Sequence, residues 1–114
     1  VAGFSFGAWI GMQLLMRRPE ITGFISVSPP ANMYDFSFLA PCPSSGMIIN
    51  GAADRIAPTS ATVELVDKLR EQRGITVTHN EMEGAGHFFE EPFMDPMLET
   101  VTAYVKKRLT ETTR

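Results

Sequence analysis

The stretch Gly3-Phe4-Ser5-Phe6-Gly7 constrains this chain more than any other part of it. The pattern G-x-S-x-G places a serine on a tight turn between a β-strand and an α-helix, with its hydroxyl presented as a nucleophile. A backbone forced through such a turn needs small neighbours, or strand and helix meet in a Cβ clash. Gly3, Gly7 and Ala8 are expected to supply that room. The flanks suit the pattern. Val1-Ala2 read as the tail of a buried strand, and Phe6 to Arg18, rich in Leu, Met, Ile and Ala and closed by Pro19, reads as a helix.

The remaining chain alternates in the same way. Gly23 to Ser28 (GFISVS) reads as a strand broken by Pro29-Pro30, and residues 31–45 as an irregular segment. Gly46 to Asn50 (GMIIN) is continuously apolar, as in a sheet covered on both faces. Thr59 to Arg73 reads as an amphipathic helix with Val63, Val66 and Leu69 inward and Gly74 ending it. Ile75 to Met82 alternates and reads as a strand. The last helix is expected to start from Asp95 as N-cap with Pro96 at its first position, and to run to about Leu109. Its inner face would hold Met97, Val101, Tyr104 and Leu109. Strands separated by helices imply an α/β fold, a parallel sheet with helices on both faces. A chain of 114 residues suits one domain, 1–114.

Composition removes several classes of function. With 10 Lys and Arg against 13 Asp and Glu, the net charge is −3, and no basic face for nucleic acid is visible. The one basic cluster, Lys106-Lys107-Arg108, reads as a helix C-terminus complementing its dipole. No apolar run approaches the ~18 residues of a membrane span. Cys42, the single cysteine, lies between Pro41 and Pro43; it forms no disulfide within the chain and fits a reducing compartment, so a cytoplasmic location is expected. Two histidines and one cysteine at unrelated spacings suggest no metal site, and no cofactor motif occurs.

A serine hydroxyl needs a base, and the base needs an orienting carboxylate. His87 follows the last strand in the loop Gly84-Ala85-Gly86-His87, where a parallel sheet presents functional groups. His79 lies within a strand and reads as a surface or packing residue. Asp54 follows GMIIN through Gly51-Ala52-Ala53 and is the best candidate acid, although it could also be a turn residue or an ion-pair partner of Arg55. Asp35 is the runner-up, with a helix cap as its plainer role. Glu81, Glu83, Glu90 and Glu91 crowd the His87 region and are expected to be solvated. The backbone N–H of Phe6, at the helix N-terminus, would be one oxyanion donor. Phe4, Phe6, Trp9, Phe88 and Phe89 hint at an apolar or aromatic acyl group, with Phe4 and Phe88 as substrate contacts.

Ser, Asp and His thus follow three different strands in that order. Through GFSFGAW at 3–9, GAADRIAP at 51–58 and GAGHFF at 84–89, the chain resembles the α/β-hydrolases over nearly its whole length. Through SFGAWIGMQLLMRRPEI and YDFSFLAPCPSSGMIING it resembles, more narrowly, small bacterial α/β-hydrolases related to dienelactone hydrolases. The resemblance implies Ser5 as nucleophile, His87 as base and acid, Asp54 as its orienter, and hydrolysis of an ester-like bond (carboxylic ester, thioester or lactone) in a small acyl substrate. It covers only the C-terminal half of that fold, so a missing N-terminal half, carrying the second oxyanion donor, is expected in the parent protein. The alternative is a non-catalytic fragment or interaction module without a complete oxyanion hole.

Overall fold

A computed structural model describes residues 1–112. Four strands, β1 (Ala2–Phe4), β2 (Phe24–Val27), β3 (Gly46–Gly51) and β4 (Val77–Met82), form one sheet in the order β1-β2-β3-β4, and every neighbouring pair is parallel. Three helices, α1 (Phe6–Arg17), α2 (Thr59–Arg70) and α3 (Met94–Thr112), complete the expected element order. Chain neighbours are therefore sheet neighbours throughout, which requires every connection to cross over the sheet. Two crossovers are helical. The third, between β2 and β3, is the irregular segment, which contains a short 3-10 turn at Ser37–Leu39.

The sheet sorts its side chains by the two-residue period of a strand. Phe24 and Ile48 point to one face, where Met12 and Leu15 of α1 and Leu65, Val66 and Leu69 of α2 complete a core. Ile25, Val27, Met47 and Ile49 point to the other, where they meet Met97 of α3 with Val101 and Tyr104 packed alongside. This is why β2 and β3 are buried at every position and show no polar alternation. Each fully buried Ile, Leu or Met contributes roughly 1.5–3 kcal/mol of hydrophobic stabilisation, so these two strands carry much of the fold.

Several element details depart from the sequence reading. β1 extends through Gly3 and Phe4 to the residue before the serine. α2 stops at Arg70, and just beyond it the Gln72 side chain donates to the Leu39 carbonyl (2.9 Å) and accepts from the Cys42 N–H. On α2 the inward positions are Thr62, Leu65, Val66 and Leu69, while Val63 faces solvent. α3 begins at Met94, with the Met97 N–H already bonded to the Phe93 carbonyl, so Asp95 lies inside the first turn rather than capping it. Leu109 is 61% exposed and does not join the inner face.

Arg108 is not a simple complement to a helix dipole, since α3 continues past it. Its guanidinium donates to the carbonyls of Thr22 (2.6 Å) and Ser45 (2.9 Å) and to the Tyr104 hydroxyl (2.8 Å). It thereby ties α3 to the residues leading into β2 and β3. Cys42 is buried, which pushes its thiol up from the ordinary cysteine value and away from reactivity. No helix among the described residues is long and apolar enough to cross a membrane.

Candidate active site

Ser5 turns the chain from strand to helix within one residue. Its N–H still follows the sheet, donating to the Val27 carbonyl (2.8 Å), while its own carbonyl accepts from Ala8 N–H (2.9 Å) at the start of α1. The change is made at φ 56°, ψ −121°, a region that L-residues rarely occupy. Gly3 is needed here: a Cβ on it would lie 2.2 Å from the Gly7 carbonyl oxygen. Gly7 itself does not have the expected role, since a Cβ there would meet nothing within 4 Å. The close helix–strand contact comes from Gly3 and the buried Ala8.

Ser5, His87 and Asp54 come together after β1, β4 and β3. Ser5 Oγ lies 2.7 Å from His87 Nε2, and His87 Nδ1 lies 2.7 Å from Asp54 Oδ2. A carboxylate can only accept, so in the neutral ring the proton sits on Nδ1 and leaves Nε2 free to accept from the serine hydroxyl. The imidazole and carboxylate are almost wholly buried, at 3% and 0% exposure, whereas Ser5 is half-buried and reachable. Asp54 is both orienter and turn residue. Its second oxygen, Oδ1, accepts the N–H groups of Ile56 and Ala57, each at 2.8 Å. Its side-chain partner is His87, not Arg55.

The two loops carrying the acid and the histidine are laced together. Ala53 N–H donates to the Ala85 carbonyl (2.9 Å) and Ala52 N–H to the Met82 carbonyl (2.9 Å). The approach is so close that a Cβ on Gly51 would lie 2.1 Å from the Ala85 oxygen. Phe6 is the first residue of α1. First-turn N–H groups have no intrahelical acceptor and carry the positive end of the helix dipole, which suits a developing anion beside Ser5.

Aromatic rings stand on both sides of the serine. Phe4 and Phe88, 41% and 52% exposed, lie 5.9 Å apart between centroids, and both approach the His87 ring, at 5.7 and 5.0 Å. On the other side, Phe6 meets Tyr34 (5.3 Å), which stacks on Trp9 (4.9 Å). Trp9 Nε1–H donates to the Asp35 carbonyl (2.9 Å), fixing this second group. Tyr34 was not singled out in the sequence, because an aromatic residue in an irregular segment has no period to mark it. Phe89 is fully buried in the core beneath α3 and is no substrate contact.

The other candidates stand apart. Asp35 accepts the Ser37 N–H (2.8 Å) through Oδ1, which holds its carboxyl below the usual range and ties it to the first residue of the 3-10 turn. His79 is half-buried on β4 and bonds Asn50 Oδ1 at 2.7 Å. Burial lowers its pKa, with Glu81 and Asp67 opposing and Arg70 reinforcing that effect. Glu81, Glu83, Glu90 and Glu91 are solvent-exposed.

No protein-family model matches the chain. A curated protein of Rickettsia prowazekii (strain Madrid E), itself uncharacterised, is 50% identical over 93 residues, covering 78% of this chain and 39% of that protein. The crystal structure of a protein of unknown function from Agrobacterium tumefaciens, described as a candidate α/β hydrolase, superposes with a TM-score of 0.94 at 58% identity. The match covers 97% of this chain and 50% of that one. An α/β serine hydrolase without a lid from Xanthomonas campestris matches with a TM-score of 0.69 at 33% identity, over 82% of this chain and 40% of that one. The chain has the α/β-hydrolase fold of these structures, with four parallel strands and helices on both faces. It spans half or less of the length of each of these three proteins.

Proposed function

We propose that Ser5, His87 and Asp54 are the nucleophile, base and orienter of a serine hydrolase that cleaves ester-like bonds. The observation that carries this reading is the unbroken relay from Ser5 Oγ through both ring nitrogens of His87 to Asp54. Ser5 Oγ attacks the acyl carbonyl carbon as His87 Nε2 takes its proton, and Asp54 stabilises the imidazolium. The oxyanion of the tetrahedral intermediate faces the Phe6 N–H. His87 returns the proton to the leaving oxygen or sulfur, and an acyl-Ser5 remains. Water, deprotonated by His87, then releases the acid and restores Ser5. Every step uses side chains, the Phe6 backbone N–H and water, so this route calls on neither cofactor nor metal. Phe4 and Phe88 flank the acyl group. The narrower kinship is with dienelactone-hydrolase-like enzymes acting on small acyl substrates in the cytoplasm.

The test is labelling by a fluorophosphonate probe in the natural full-length protein. Wild type is expected to label, and Ser5→Ala is expected to abolish it. Labelling that survives Ser5→Ala overturns the assignment.

One observation favours a second reading, a non-catalytic interaction module. β1 is an edge strand of this sheet, and Phe4, Phe6, Ile10 and Leu14 are exposed beside it. Loss of one oxyanion donor costs about 10²–10³ in rate. Hydrolysis of a p-nitrophenyl ester by the 114-residue chain and by a form extended upstream separates the two. Equal activity rejects the module reading.

A further inference from the structure

Among the described residues, three non-glycine residues have positive φ: Ser5 (56°), Ser28 (51°) and Phe89 (48°). Two of them have evident places: Ser5 is the proposed nucleophile, and Phe89 lies two residues past His87 in the core. Ser28 has no such assignment. It stands one residue past β2, wholly buried, with its N–H donating to the Ile49 carbonyl (2.8 Å). A non-glycine residue in this conformation is strained and persists only where its surroundings impose it. Glycine would make the same turn without that penalty, so the turn alone does not account for a serine.

The hydroxyl does. Ser28 Oγ–H donates to the backbone carbonyl of His87 at 2.7 Å, across 59 residues of sequence and in a buried setting. The residue before it, Val27, accepts the N–H of Ser5 at 2.8 Å. Two consecutive residues at the end of β2 therefore hold the backbones of both partners in the Ser5–His87 hydrogen bond. Asp54 fixes the orientation of the imidazole ring, but it does not fix where the His87 main chain stands.

We propose that Ser28 is a positioning residue: through the His87 carbonyl it sets the distance and direction of the imidazole from Ser5. The inference rests on the hydrolase reading for its catalytic consequence, though not for its structural one. A displacement of about 1 Å in a reacting geometry is enough to cost around 10²-fold in rate.

Ser28→Ala keeps the strained backbone and removes the hydroxyl. Ser28→Gly removes the hydroxyl and the strain together. In the natural full-length protein, both variants are expected to fold, with Ser28→Gly no less stable than Ser28→Ala in denaturant. Both are expected to slow fluorophosphonate labelling of Ser5 by about 10–100-fold, and to lower kcat for a p-nitrophenyl ester with KM unchanged. Wild-type labelling in Ser28→Gly overturns the proposal, because the position then serves only as a turn. A second readout does not depend on activity. The buried His87 Nδ1–H is expected to give a low-field proton NMR signal in wild type that broadens or vanishes in both variants. An unchanged signal overturns the positioning role even if wild type never labels. Absent wild-type labelling with a Ser28-dependent signal overturns the hydrolase reading and leaves the positioning role standing.

Discussion

Asp54 divides its carboxylate between two tasks, and substitutions can separate them. Asp54→Asn can still accept the Ile56 and Ala57 N–H groups through its oxygen, but its amide offers a donor where His87 Nδ1 also donates. The expected outcome is a near-native denaturation midpoint with labelling of Ser5 slowed by roughly 10⁴-fold, the scale of a wrong imidazole tautomer. Asp54→Ala loses both tasks and is expected to cost a further ~1–3 kcal/mol of stability from unpaired N–H groups, read by chemical denaturation. His79 makes a separate pH prediction. The fold depresses its pKa, so the neutral ring is favoured and the unfolded chain binds the extra proton first. The stability it contributes is complete above the ordinary histidine value of ~6.5 and is lost as pH falls from there through its lower folded value. An NMR titration is expected to place its midpoint below ~6.5, and His79→Gln is expected to remove that part of the acid sensitivity. At this scale the serine, histidine and acid were legible because each has a motif or a strand end to mark it. Ser28 was not, since a serine before Pro-Pro looks like the end of a strand and nothing more.

The elements were legible where periodicity or breakers mark them, and less so where side chains overrule propensity. Pro19 and the apolar runs placed α1, β2 and β3 to within a residue or two. Helix propensity runs on to Arg73, three residues past the end of α2, and cannot reveal that Gln72 bonds Leu39 and Cys42. Its inward stripe differs from the periodic one in one place: Thr62, not Val63, faces the core. Thr62 is fully buried, and among the described residues its hydroxyl has no hydrogen-bond partner. Thr62→Val is therefore expected to stabilise the protein by about 1 kcal/mol in a denaturation experiment, as an orphan hydroxyl gives way to a methyl of the same shape. The end of β3 has the opposite sensitivity. Gly51→Ala would set a methyl against the Ala85 carbonyl and push the acid and histidine loops apart. Labelling is expected to fall at least ~10²-fold, with destabilisation of about 1–3 kcal/mol.

Across the whole molecule, the three-layer arrangement follows from continuous apolar strands that must be covered on both sides, and that much was readable from GFISVS and GMIIN. How α3 is attached was not, because Arg108 reads as part of a basic run and acts instead as a planar fork between backbone carbonyls. Arg108→Ala is expected to lower stability by about 1–3 kcal/mol in thermal or chemical denaturation, while leaving the labelling rate per folded molecule unchanged. Lysine is not expected to rescue it, since one ammonium cannot reproduce the fork's geometry. Thr22 and Ser45 lie just before β2 and β3 begin, whereas Ser28 and Asp54 lie beyond where those strands finish. At ~3.3 Å per residue, the six-residue β3 sets these two ends about 20 Å apart. Fastening and chemistry thus occupy opposite rims of one sheet. An engineer can harden the rim around Arg108 against heat and leave the rim that carries Ser5, Asp54 and His87 untouched.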